Sequence, residues 1–182
     1  MKTIKLVLIG TFSAITMWLS AQDGKLNTAN LLEISNSSIS NISSILRPIG
    51  YDLQHTKEYS YLLSGKNITV QEVIWGYRAT YNKDDTFSSL PAYRNDRAAI
   101  YIFLEKGKIT PFAITYEFNN ETIYNSFFDN LKKLGYQKVN EEVQIEKIII
   151  AFENRQTEKI ILLSERTTLS EIFKYSFTIG DI

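Results

Sequence analysis

From Asn119 to Tyr136 the chain reads NNETIYNSFFDNLKKLGY, and Tyr124, Phe127, Phe128, Leu131 and Leu134 fall at the three-and-four spacing of one helix face. Asn119 or Asn120 can cap the first turn with Glu121 behind it. Lys132 and Lys133 sit where the helix dipole favours cations, and Gly135 supplies the stop. The same frame occurs earlier, where Ile39, Ile42, Leu46, Ile49, Gly50 and Tyr51 match Tyr124, Phe127, Leu131, Leu134, Gly135 and Tyr136, which predicts a duplicated unit. The earlier copy is crowded with Ser and Asn between Ser35 and Ser44, side chains that compete for nearby backbone groups. Pro48 disfavours helix at the residue before it, so this copy is expected to be the weaker helix and to end near Leu46 or Arg47.

After each helix the period changes to runs of β-branched and aromatic residues bounded by Gly, Asn and Lys, the pattern of antiparallel strands. It predicts strands at about Leu53 to Leu63, Ile68 to Tyr81, Ala98 to Glu105 and Ile109 to Phe118. Four more follow the second helix, at Gln137 to Gln144, Ile145 to Glu153, Lys159 to Glu165 and Glu171 to Ile179. Turns are expected at Ser64-Gly65-Lys66-Asn67 and Lys106-Gly107-Lys108, and Pro111, unable to donate to a ladder, should mark a bulge or an unpaired edge. The polar stretch Gln22 to Asn30 reads as a mobile arm leading to a short apolar patch at Leu31, Leu32 and Ile34. The expected fold is therefore α+β: two tandem helix-plus-four-strand repeats, 22–118 and 119–182, forming one broad antiparallel sheet with the helices on one face. Asn82 to Arg97 has no counterpart in the second repeat and is an insertion, either a binding loop or a plain excursion.

If Lys106-Gly107-Lys108 closes a three-residue loop, Ile100 opposes Ile114, Ile102 opposes Phe112 and Leu104 opposes Thr110, and that set faces the helices. Tyr101 and Phe103, opposing Ala113 and Pro111, then point to the helix-free side. Aromatic rings left exposed together often mark a recognition surface, so Tyr101 and Phe103 are candidate binding residues unless the insertion folds over them. Within the insertion, Tyr93, Arg94 and Arg97 are candidates for gripping an anionic ligand.

A chain of 182 residues, 44% hydrophobic and 22% charged, can bury a sizeable core. Met1 to Ala21 is not part of it: Lys2 and Lys5 precede an apolar run from Leu6 to Leu19 and the small residues Ser20 and Ala21, the layout of a signal peptide. The run is interrupted by Gly10, Thr11, Ser13 and Thr16 and is short of the roughly 18 apolar residues expected of a spanning helix. With Lys2 and Lys5 removed the remainder is nearly neutral, which disfavours nucleic-acid binding through bulk charge. Without cysteine there is no disulfide, no thiol nucleophile and no lipid anchor on a cysteine, so stability must come from packing. The expected address is the periplasm or the extracellular medium.

His55 is the only histidine, which excludes a multi-histidine metal site, and no glycine-rich phosphate loop or G-x-S-x-G turn is present. Asp84 and Asp85 are adjacent carboxylates without a recognisable cation-loop spacing, and Glu141 and Glu142 would point to opposite faces of a strand. No catalytic residue, metal or cofactor is nominated. The order of elements is similar, in outline, to the tandem-repeat architecture of the secreted β-lactamase inhibitor proteins, which grip a partner with an open sheet face; the likeness carries no shared motif, residue or target. The expectation is an exported, non-catalytic binding or inhibitory module that recognises a protein partner through the open sheet face, the alternative being an enzyme or small-ligand binder that uses the insertion. Intact-mass measurement of the exported protein should find a chain beginning near Gln22; a species that keeps Met1 to Ala21 would make that segment an anchor.

Overall fold

The computed structural model describes residues 25–63, 66–82, 86–154, 156–168 and 172–181. The segment read as a signal peptide, Asp84, Asp85 and the tip of the first predicted turn lie outside these residues. Among the described residues two short helices come first, α1 (Thr28–Ser35) and α2 (Ile39–Leu46), and the longer α3 (Glu121–Lys133) lies mid-chain. Between and after them run β1 (Tyr51–Leu63), β2 (Lys66–Tyr77), β3 (Thr80–Tyr81), β4 (Phe87–Ser89), β5 (Ala98–Glu105), β6 (Ala113–Phe118), β7 (Gln137–Val143), β8 (Lys147–Asn154), β9 (Lys159–Arg166) and β10 (Tyr175–Asp181). The fold is α+β. Eight strands form one antiparallel sheet in the order β1-β2-β5-β6-β10-β9-β8-β7, and β3 pairs with β4 in a separate hairpin.

Helix α3 keeps its predicted limits because its signals are local. The Asn120 side chain accepts from the Ile123 N–H, and Gly135 takes the left-handed conformation, φ 81°, that a side chain resists. Helix α2 gives way to a 3-10 turn at Arg47–Ile49, where Pro48 sits, and Gly50 closes it at φ 92°. The polar arm expected up to Asn30 is a finding in the other direction, since it contains the start of α1. Asn27 and Asn30 cap each other reciprocally, side chain to backbone in both directions, and the helix so started buries Leu31 and Ile34 completely.

All three helices cover the same face of the sheet. Leu31, Ile34, Ile42, Leu46, Tyr124, Phe127 and Leu131 share a core with Trp75, Ile100, Ile102, Ile114, Tyr116, Phe118, Leu163, Phe177 and Ile179. Phe127 sits at its centre, 5.6 Å from the ring of Phe118 and 4.6 Å from that of Phe177.

The hairpin between β5 and β6 is longer than predicted. The loop runs through Phe112 and leaves Pro111 out of the ladder, so Ile100 pairs with Tyr116, Ile102 with Ile114 and Phe103 with Ala113. The register thus differs by two residues, which preserves the faces of the residues paired in the ladder because side chains alternate with period two. Phe112 is corrected from core to surface: its N–H donates to the Phe103 carbonyl, its ring lies beside Phe103, and 37% of it is exposed. The second strand also stops early, at Tyr77; Arg78 takes φ 45°, and Thr80 and Tyr81 leave the large sheet for the hairpin with β4.

Strands β6 and β10 join the two ends of the sheet, with Ile114 opposite Ile179, Thr115 opposite Thr178 and Tyr116 opposite Phe177. The Thr115 and Thr178 hydroxyls meet at 3.0 Å. Truncating Phe127 to Ala should cost about 3 to 5 kcal/mol, whereas Phe112→Ala should cost about 1 kcal/mol or less, as measured by denaturant melts. Equal losses would place Phe112 back in the core.

Candidate functional site

Side chains that alternate with the core point to the helix-free face: His55 and Lys57 on β1, Glu72, Ile74 and Gly76 on β2, Ala99, Tyr101 and Phe103 on β5, and Thr115 and Glu117 on β6. Tyr101 and Phe103 are therefore on the predicted side. The first half of this face is nevertheless roofed, because the hairpin of β3 and β4, the latter inside the 82–97 stretch, lies across it. Phe87 comes down on Gly76, where an added Cβ would stand 3.0 Å from the Ala79 Cβ and 3.4 Å from the Phe87 ring, so the close approach requires glycine. Tyr81 stacks on His55 at 6.1 Å and meets Phe87 edge-on at 4.9 Å, Phe87 meets Phe173 edge-on at 5.8 Å, and the Tyr81 N–H donates to the Gln54 side chain at 3.0 Å. Under this cover Ile74, on the face opposite the described helices, is completely buried.

At the border of the roofed half lies a polar group that the sequence pattern did not nominate. The Tyr101 phenol bonds to the Glu117 carboxylate, and the Arg166 guanidinium donates to Glu117 Oε1 at 3.0 Å from β9, across β10. Burial raises the Glu117 pKa above its ordinary value of 4.5 despite the opposing pull of Arg166 and the Tyr101 hydrogen bond. Burial, then the charge of Glu117, hold the Tyr101 phenol well above its ordinary pKa, so it stays protonated and serves as a donor. Lys57 approaches the Tyr81 ring at 5.6 Å and its hydroxyl at 3.4 Å. A single glutamate at position 117, in the otherwise uncharged strand AITYEF, was the one available signal of this cluster.

The remaining nominated residues are dispersed. Tyr93 is 78% exposed. Arg94 opens a 3-10 turn, and Arg97 donates through Nε to the Pro91 carbonyl at 3.1 Å, fastening the insertion to itself. Phe103 stands half-buried at the far end of β5 against Phe112. Among the described residues no group of three or more His, Asp or Glu could hold a metal ion, and no helix is long and apolar enough to cross a membrane.

Beyond β6 no described helix or hairpin packs on the helix-free face. Ala113, Thr115, Ser176, Thr178, Gly180, Ile160, Leu162, Ser164, Ile149 and Ala151 lie on it half-exposed, with hydroxyl pairs at Thr115–Thr178 and at Ser164–Ser176, 2.6 Å. Comparison with protein-family models, with curated proteins and with solved structures finds no match.

The pH dependence of stability follows from Glu117. Its folded pKa is raised, so its contribution is fully present below about pH 4.5 and is lost as pH rises through the folded pKa. Glu117→Gln, neutral at every pH, should gain in melting temperature relative to wild type between pH 4 and pH 7. A difference that stays constant or falls over that range would contradict the burial of this carboxylate.

Proposed function

We propose that the protein is an exported, non-catalytic module that binds another protein through the helix-free face of its sheet. The observation that carries this reading is the contrast across that face. Where the insertion roofs it, Ile74 is sealed; beyond β6, a flat surface of Ile149, Ala151, Ile160 and Leu162, edged by threonine and serine hydroxyls, is left half-exposed. Apolar surface with a polar rim is the composition of protein interfaces. Tyr101 and Phe103 belong to the same face, with Phe103 and Phe112 at its outer end and Tyr101 at the edge of the roof.

Export rests on the layout of Met1 to Ala21, with its basic start, apolar run and small residues before Gln22. The bare face is then on the outside of the cytoplasm, in the periplasm or beyond.

We also infer that the chain arose by duplication of one helix-plus-four-strand unit, with α1 added in front and the insertion between the second and third strands of the first copy. Several correspondences support this. Gly50 and Gly135 both close their helices in the left-handed region, and Tyr51 and Tyr136 beyond them are both buried. The first strand of each unit is bulged at a matching place, between Leu53 and His55 in β1 and between Lys138 and Asn140 in β7. The strand order mirrors itself about the β6–β10 pair, so Thr115 and Thr178 are each other's counterparts as well as partners.

The binding reading is tested with Ile160→Lys/Leu162→Lys. This double variant should melt within a few degrees of wild type, because both positions are half-exposed, and should lose a partner that the wild type captures from an envelope extract. Capture that survives the charges would remove the bare face as the binding surface.

A further inference from the structure

On β8 the side chains that reach the helix-free face are Lys147, Ile149, Ala151 and Glu153, because Phe152 between the last two belongs to the helix-packed core. Read along the strand they run cation, large apolar, small apolar, anion. Such a row complements itself when a second identical row is laid over it in the opposite direction: Lys147 then meets the partner's Glu153, and Ile149 fills the space over the partner's Ala151. Neither Lys147 nor Glu153 has a charged partner among the described residues, so both are available for such a pairing. Leu162 and Ile160 on β9 widen the apolar middle of the row.

We propose that the bare half of the helix-free face docks a second copy of this chain, sheet against sheet about a two-fold axis over the middle of β8. The proposal rests on the reading of that face as a protein-binding surface and names its occupant. The hairpin roof over the first half explains why one patch per chain is left, and a single self-complementary patch closes as a dimer and cannot grow into a filament. Two stacked sheets stand about 10 Å apart with strands turned by about 30°, which brings side chains of this length into contact. The five strands from β6 to β7 and the length of β8 define an area on the order of 500 Å², below the roughly 800 Å² per partner of a standard interface, the size class of weak and transient contacts.

Sedimentation velocity on the exported chain, from about 1 to about 300 µM, reads the association directly. The expected result is a monomer–dimer equilibrium that Ile149→Glu abolishes. Lys147→Glu and Glu153→Lys should each weaken it about tenfold or more, and the double variant Lys147→Glu/Glu153→Lys should restore it to within about threefold of wild type, since the swapped charges pair again across the two-fold. A folded wild type that stays monomeric at the highest concentration overturns the self-association, even where the extract still yields a different protein on this face. A dimer indifferent to Ile149→Glu, or a charge swap that fails to recover what the single reversals lose, equally overturns it.

Discussion

The structure depends on one ladder. Among the described residues, strands β6 and β10 are the only hydrogen-bonded seam between the strands that precede α3 and those that follow it, and without their pairing the large sheet would be two four-stranded sheets, each with a further open edge. The seam is held on both faces by different chemistry. On the helix side Ile114, Tyr116 and Phe118 of β6 and Tyr175, Phe177 and Ile179 of β10 pack into the core beneath Phe127 and Tyr124. On the other side the Thr115 and Thr178 hydroxyls satisfy each other at 3.0 Å without needing a cover. Asn119 adds a clamp at the end of the seam, donating to the Ile172 carbonyl and accepting from the Lys174 N–H, both at 2.7 Å.

The two faces of the sheet joined at that seam are covered differently. Helices cover one face over both groups of strands, whereas among the described residues the opposite face is covered by the β3–β4 hairpin. Gly76 permits the approach of Phe87, and the aromatic chain of His55, Tyr81, Phe87 and Phe173 replaces solvent over Ile74. Glu117 lies at the boundary, and its carboxylate is tolerated in a partly dry position because Arg166 and Tyr101 reach it from the two neighbouring regions of the sheet. Within the same stretch Arg97 donates through Nε to the Pro91 carbonyl.

Much of this was legible in the residues, and the limits of that legibility have physical causes. Helix α3 was recognisable to within a residue because its cap, its stripe and its terminating glycine are all local. The facing of Tyr101, Ile102 and Phe103 was recoverable even with the register displaced by two, since alternation is insensitive to an even slip. Helix α1 was hidden because two asparagines that look like loop residues cap each other. The roof over Ile74 is not readable along the chain, because it depends on Phe87 meeting Gly76, a contact that no short-range pattern encodes. Glu117 and Arg166 meet only after β10 is placed between their strands, so their pairing was not visible along the chain.

The measurement that bears most directly on a single sheet held at β6–β10 is native-state amide exchange resolved by residue. The account predicts that the amides of β6 and β10 exchange as slowly as those of β2, β5 and β9, all opening together with the global unfolding free energy. If β7 to β9 opened as a unit while β2 and β5 stayed protected, with fast exchange along the β6–β10 ladder, the two groups of strands would be separate cooperative bodies and the seam would not hold the fold together.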